Sequence, residues 1–259
     1  MATTSPRTFV RPTKRHLIAI VLAVAVAAGV GATVRPAHAA EAPVNLGTAG
    51  SYGVLGGSEV TNDGPTVIGG DLGVNSGTSV TGFPPGVYGG ALHNGDAVAL
   101  QAQNDLTAAY IDAAGRPATT SGMGELGGQN LTPGVYAGDE LTLTGALTLT
   151  GDADSVWIFQ AASSLITSSD SRVLLSGPVN PCNVFWQISS SATLDTGSTM
   201  VGTIMALASI TALEGASVNG RLLAQNGNVT LLSNTVTGPL SCAVAPPATA
   251  LPGQATFAG

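Results

Sequence analysis

The side chains of this chain with most to offer chemically are hydroxyls, and they recur at a fixed interval. Ser190 to Leu207, Ala208 to Gln225 and Asn226 to Ser241 align without gaps at a spacing of 18 residues. Gly202 then falls on Gly220 and Gly238, Thr199 on Ser217 and Thr235, and Met200 on Val218 and Val236. A period near 20, with Gly in one column and small polar residues alternating with aliphatics, is the pattern of stacked β-solenoid coils. Neutral hydroxyls and methyls in such ladders neither take up nor release protons at ordinary pH. Such ladders are a surface feature and not a catalytic one, so the function is to be sought on a face.

The second strand of each repeat places Thr199, Ser217 and Thr235 outward in one column and Val201, Asn219 and Thr237 in the next. Thr148 with Thr150, and Ser79 with Thr81, are expected to extend both columns, and Thr66 to join the first through a one-residue bulge. Arg172 falls near the same column. The first strand carries a shorter ladder, Ser191 with Ser209 and Thr193 with Thr211. Coils stack about 4.8 Å apart, so each column repeats its groups at that interval. Threonine suits any solvent-facing strand. An ordinary exposed sheet face, however, also carries Lys, Glu and Arg, which discourage association, and these are scarce here.

Conventional catalysis has little to work with. After the first 39 residues the chain has one histidine, His93, which is expected in a solvated approach to a helix. Asp63, Asp71, Asp152, Asp154, Asp195 and Glu214 share no column, so no acid–base pair is implied. Asp152 and Asp154 could meet a calcium ion, although a turn carrying two carboxylates is more often simply solvated. No nucleophile elbow, phosphate-binding glycine loop or zinc motif is present. No enzyme, cofactor or metal is expected.

Stepping outward from the ladders, the strands alternate cleanly. Leu141 to Thr150 reads with leucines inward and Thr142, Thr144, Thr148 and Thr150 outward. Gly77 to Gly82 matches Gly197 to Gly202, so coils begin early in the chain. Between residues 94 and 114 the period changes: Ala99, Ala102, Leu106, Ala109, Tyr110 and Ala113 recur on one helical face. Asp96 can cap that helix and Gly115 can end it. Near-duplicates flank it, Pro85 to Tyr88 and Pro133 to Tyr136, as if it were inserted between two equivalent coils. If Ile204, Ala206, Leu222 and Ala224 point inward, then Met205, Leu223, Ile158 and Phe185 point outward. That face is apolar on its outside and must be covered, and the helix is the candidate cover.

Composition bounds the rest. Arg7, Arg11, Lys14 and Arg15, an apolar run from Leu17 to Val30 and Ala37-His38-Ala39 form an expected secretory leader over residues 1–39. Beyond it stand three arginines, no lysine and all 15 acidic residues, a net charge of −12. Nucleic acid and anionic membrane surfaces are disfavoured, since both need clustered Lys and Arg. Residues 40–242 suit one domain, with Trp157, Phe159, Phe185 and Trp186 arguing for a packed core. Cys182 and Cys242 are expected to form one disulfide in a secreted chain. A Pro/Ala tail follows from 243 to 259.

Several stretches resemble the microbial ice-binding proteins: Leu46 to Leu55, Ile68 to Leu72, Leu131 to Tyr136, Asn183 to Gln187 and Gly215 to Arg221. The resemblance implies a right-handed, discontinuous parallel β-helix with one α-helix alongside, an ice crystal as partner, and a monomer. In that family a flat solenoid face binds ice, and several members carry a Thr-(Ala/Gly)-x-(Thr/Asn) motif on it. Thr196-Gly197-Ser198-Thr199 matches it in full, Glu214 to Ser217 only in part. An extracellular adhesin using the same face on polysaccharide is the alternative.

Overall fold

Alternating aliphatics can bury every second side chain only if another layer meets them, and here the chain supplies that layer by winding round itself. The computed structural model describes residues 1–2 and 41–238; most of the expected leader, Cys242 and the tail lie outside the described residues. The 21 short strands form one continuous sheet of parallel pairings. Three strands make a coil, and three faces surround a lumen filled by Val60, Leu72, Leu147, Phe159, Trp186, Ile204, Leu222 and Val229. Phe159 and Trp186 stack inside it with centroids 4.1 Å apart, and Tyr136 lies on Phe159 at 5.6 Å. The four aromatics singled out in the sequence are all buried.

The coils do not stack in chain order. Residues 52–68 pair on one side with 71–88 and on the other with 217–236, through Leu55↔Leu223 and Val60↔Val229. From there the stack descends through 199–212, 184–194, 157–176 and 134–150 to 120–131. The stack is a parallel solenoid with a discontinuity between its second and third coils. The repeated Pro-Gly-Val-Tyr segments consequently are not equivalent. Val87–Tyr88 belongs to an end coil on one face, and Gly134 to Tyr136 lies near the opposite end on another.

The helix Ala97–Gly115 carries the chain between those ends. It starts three residues later than its pattern suggested. The Asp96 carboxylate caps it, accepting from the Ala99 N–H at 2.8 Å. Ala102, Leu106, Ala109 and Ala113 pack on Leu55, Val135, Ile158, Phe185, Met205 and Leu223, a second core outside the lumen. The apolar outer face is covered as expected. Polar ties fix the helix in place: the Gln103 amide donates to the Gly56 and Ala224 carbonyls. The Gln187 amide donates to the Tyr110 hydroxyl at 2.6 Å, and the Gln160 amide to the Ala113 carbonyl at 2.8 Å. Cys182 is not a free thiol; its expected partner Cys242 lies outside the described residues.

One corner recurs in coil after coil. Gly64, Ser233, Gly215, Gly197 and Asp170 all have positive φ, between 54° and 81°, and the N–H groups of the last four continue the ladder, as in Gly197 to Glu214 and Gly215 to Leu232. The glycine column noticed in the sequence adds close backbone approach to positive φ, which is 102° at Gly202 and 60° at Gly238. A Cβ on Gly220 would overlap the Gly202 carbonyl, so the backbones there approach too closely for any side chain.

Candidate functional site

The strand-two face is built by the first halves of Thr199–Ala206 and Ser217–Ala224, with Thr235–Val236, Val67–Ile68 and Val87–Tyr88 stacked on one side. Arg172–Ser176, Ala146–Thr150 and Asn130–Leu131 lie on the other. Its first outward column therefore runs Val87, Val67, Thr235, Ser217, Thr199, Arg172, Ala146. Thr199 and Thr235 are exposed, and the Ser217 hydroxyl donates to Thr199 Oγ1 at 3.2 Å. In the second column Asn219 faces Val201, and the Thr237 hydroxyl donates to Asn219 Oδ1 at 3.1 Å. Thr196 is exposed in the turn before Thr199.

Several expected members sit elsewhere. Thr66 is fully buried: it occupies the corner before the column, where its hydroxyl accepts from the Asn234 N–H at 3.0 Å, and Val67 takes the outward place. Thr148 pairs with Leu174 and Asn130, and Thr150 with Ser176, so they lie one column further along than expected, and Ala146 holds the first column. Ser79 and Thr81 are on the strand-one face, paired with Glu59 and Thr61. There the sequence missed Thr61 and Thr230, which join Thr193 and Thr211 in a single column. A shared signal existed: an aliphatic residue immediately precedes each of these threonines and Thr81.

Arg172 stands in the first column of the strand-two face, exposed and without an ion pair among the described residues. It is the one ionisable side chain at the outward positions named for that face. Carboxylates gather at edges instead. Asp195 sits at the corner between the two open faces, where the Thr196 N–H and the Ser169 hydroxyl hold its carboxyl below the usual range. At one end of the strand-one face, burial pushes the Glu125 carboxyl up, but the Thr144 and Gly127 N–H groups outweigh it and leave the group lowered.

The remaining candidates are committed to structure. His93 is not a solvated loop residue: it lies in a strand, its ring 5.8 Å from that of Tyr52 and its Nδ1 2.9 Å from Asp96 Oδ2. Asp152 accepts from the Ser155 hydroxyl at 2.7 Å and the Asp154 N–H at 3.1 Å, closing a turn on itself. Among the described residues no three His, Cys, Asp or Glu side chains lie close enough to hold a metal. No described helix is long and apolar enough to cross a membrane.

Known proteins share this arrangement. The Ice-binding-like family profile matches residues 54–237, and the family is non-enzymatic. An ice-binding protein of Nostoc sp. (strain HG1) is 43% identical over 196 residues, covering 74% of this chain and 72% of its own. The chain spans 56% and 51% of the Colwellia and Flavobacterium frigoris ice-binding proteins that it matches at 40% identity. The crystal structure of an ice-binding protein from an Antarctic biological consortium superposes with a TM-score of 0.75 at 45% identity, covering 76% of this chain and 92% of that one. The profile covers the solenoid from its first buried strand to its last stacked threonine: the chain belongs to the Ice-binding-like family.

Proposed function

We propose that this protein is secreted and adsorbs to ice as a monomer through its strand-two face, inhibiting ice growth and recrystallisation. The observation that carries the reading is the uncharged run Val87, Val67, Thr235, Ser217, Thr199, five consecutive coils of methyls and hydroxyls in one register. Groups repeated at about 4.8 Å can hold a layer of water that merges with the crystal lattice. Each contact is weak, but many made at once on a rigid body become effectively permanent, as in multivalent binding. Rigidity removes the ordering penalty that a mobile surface would carry. The corner ladder, the buried Asn234 amide donating to the Leu213 and Ala216 carbonyls, and the docked helix all support that rigidity.

Nanolitre osmometry tests it. The oxidised protein should open a gap between melting and freezing temperatures and facet the crystals, and Thr199→Tyr should remove most of that gap. Round crystals with no gap would overturn the reading and pass it to an adhesin of another surface.

A further inference from the structure

Three asparagines in this chain are followed directly by glycine: Asn94, Asn219 and Asn226. Glycine has no side chain to shield its backbone nitrogen, which can attack the carboxamide carbon of the asparagine before it. The nitrogen gives its proton to solvent, a bond forms from it to Cγ, and the C–N bond of the carboxamide breaks, releasing ammonia. A cyclic imide is left. Water then opens the ring at either carbonyl, giving aspartate or the isoaspartate in which the backbone runs through the side chain. One water enters and one ammonia leaves, with no oxidation or reduction. Ring closure requires the nitrogen and the carboxamide carbon to meet, so the fold around each pair sets its rate.

The three surroundings differ. Asn94 is exposed in Leu92–Asn94, a strand of a terminal layer, and its carboxamide makes no hydrogen bond among the described residues. The Gly95 N–H is tied to the Val74 carbonyl at 2.9 Å, but terminal layers are the first part of a stack to open. Asn226 is exposed too, yet lies mid-stack and is tied down. Its amide donates to the Leu207 carbonyl at 3.0 Å, and the Gly227 N–H to the Ala208 carbonyl at 3.1 Å.

Asn219 is the pair on the strand-two face. Pairing of Ser217–Ala224 with the next coil stops at Val236, and beyond it the Gly220 N–H turns to a side chain: Thr237 Oγ1 accepts from it at 3.1 Å. The same hydroxyl donates to Asn219 Oδ1 at 3.1 Å. One threonine therefore holds both the attacking nitrogen and the carboxamide it would attack. The backbone has little room to swing them together, because Gly220 is pressed against the Gly202 carbonyl.

We infer that this chain deamidates at Asn94, and that Thr237 keeps the same reaction from Asn219. The two sites are unequal in consequence. At Asn94 the product lies at the outer edge of the stack, beside His93 and the Asp96 cap. At Asn219 it would put a carboxylate between Val201 and Thr237, and isoaspartate would add a methylene to a backbone with no slack. The inference concerns the covalent fate of the chain and stands apart from what the face binds.

The test is peptide mapping by mass spectrometry of protein held in mildly alkaline buffer made with heavy-oxygen water, which marks each asparagine that converts during the incubation. Wild type, Thr237→Val and Thr237→Ser are compared below their melting temperatures, and wild type is also incubated unfolded in urea. In urea the three pairs should convert at similar rates. In folded wild type Asn94 should convert first, with Asn219 about tenfold or more behind it. Thr237→Val should speed conversion at Asn219 about tenfold and leave Asn94 unchanged, while Thr237→Ser, which keeps the hydroxyl, should stay at the wild-type rate. Folded wild type converting at Asn219 as fast as at Asn94 overturns the inference without any variant, and so does the folded order persisting in urea. Thr237→Val protein in which Asn219 stays as intact as in wild type, or converts more slowly, overturns the role of Thr237.

Discussion

The strand Thr199–Ala206 turns a corner at Gly202, and its two halves meet different surroundings. Before the corner Thr199 points outward and is exposed; after it Met205 points outward and is fully buried under the helix. Ser217–Ala224 repeats the contrast with Ser217 and Leu223. The inward residues barely differ, since Met200, Ile204, Val218 and Leu222 all fill the lumen. What a face does is therefore decided by its outward residues alone. Aliphatic ones demand a cover, because leaving them wet forfeits about 25 cal/mol per Å². Hydroxyl-bearing ones tolerate exposure and remain available to a partner.

The contrast breaks most violently from the covered side. Leu106→Asp places a carboxylate in the dry seam against the solenoid, which should remove about 3 kcal/mol or more of stability and lower Tm by about 6–12 °C. A melting curve unchanged within 2 °C would mean that the helix does not hold the fold. On the open side, Ser217→Tyr should leave Tm within about 2 °C yet reduce hysteresis roughly fivefold by lifting the face off the lattice. Equal losses of stability and activity would erase the distinction between the two halves.

Arg172 offers a gain rather than a loss. Its charge ends the run of small residues beside Thr199, so Arg172→Thr should lengthen the flat face and raise hysteresis up to about twofold. An unchanged or smaller gap at equal protein concentration would show that the run already ends at Thr199. The smallest expected effect is that of pH. Asp96, Asp105 and Asp112 are held below the usual carboxylate range, by the Ala99 N–H, the Thr48 hydroxyl and the Arg116 guanidinium respectively. With the folded values depressed, the stability they contribute is present above about pH 4 and is lost as pH falls through those lower values. The strand-two columns hold no carboxylate, so hysteresis should stay level from about pH 5 to pH 9, while Tm declines only in acid. A titration of activity near neutrality would place an ionisable group on the working surface.

The regular part of the molecule was legible in the sequence for a physical reason. Residues 190–237 repeat at the geometric period of the coil, so one alignment gives the register of both columns, and Thr199↔Ser217↔Thr235 follows directly. The helix was legible because its period differs from everything around it, and its cover role because Met205 and Leu223 break the hydroxyl pattern. Register failed where coil length changes. Arg172 is 27 residues before Thr199 rather than 18, which moves Thr148 and Thr150 one column along. Face assignment failed for Ser79 and Thr81 because a strand with alternate residues outward looks alike on any face. Nothing local records that their coil stacks beyond residues 52–68, on the far side of the last repeat. That order is set by which exposed edges find each other, a long-range choice invisible to a repeat search.

The out-of-order stacking also governs how the molecule comes apart. A one-dimensional stack unravels from its terminal layers, where neighbours exist on one side only. In most solenoids those layers are the beginning and end of the polypeptide, which fray readily. Here the outermost layers are residues 71–94 and 120–131, interior stretches joined to each other by the docked helix. The first and last coils of the described residues are instead clamped together mid-stack through Leu55 and Leu223. Among the described residues neither the first coil nor the last is a terminal layer, and both terminal layers run directly into the helix, so fraying at either end of the stack pulls on the helix seam rather than on a free strand.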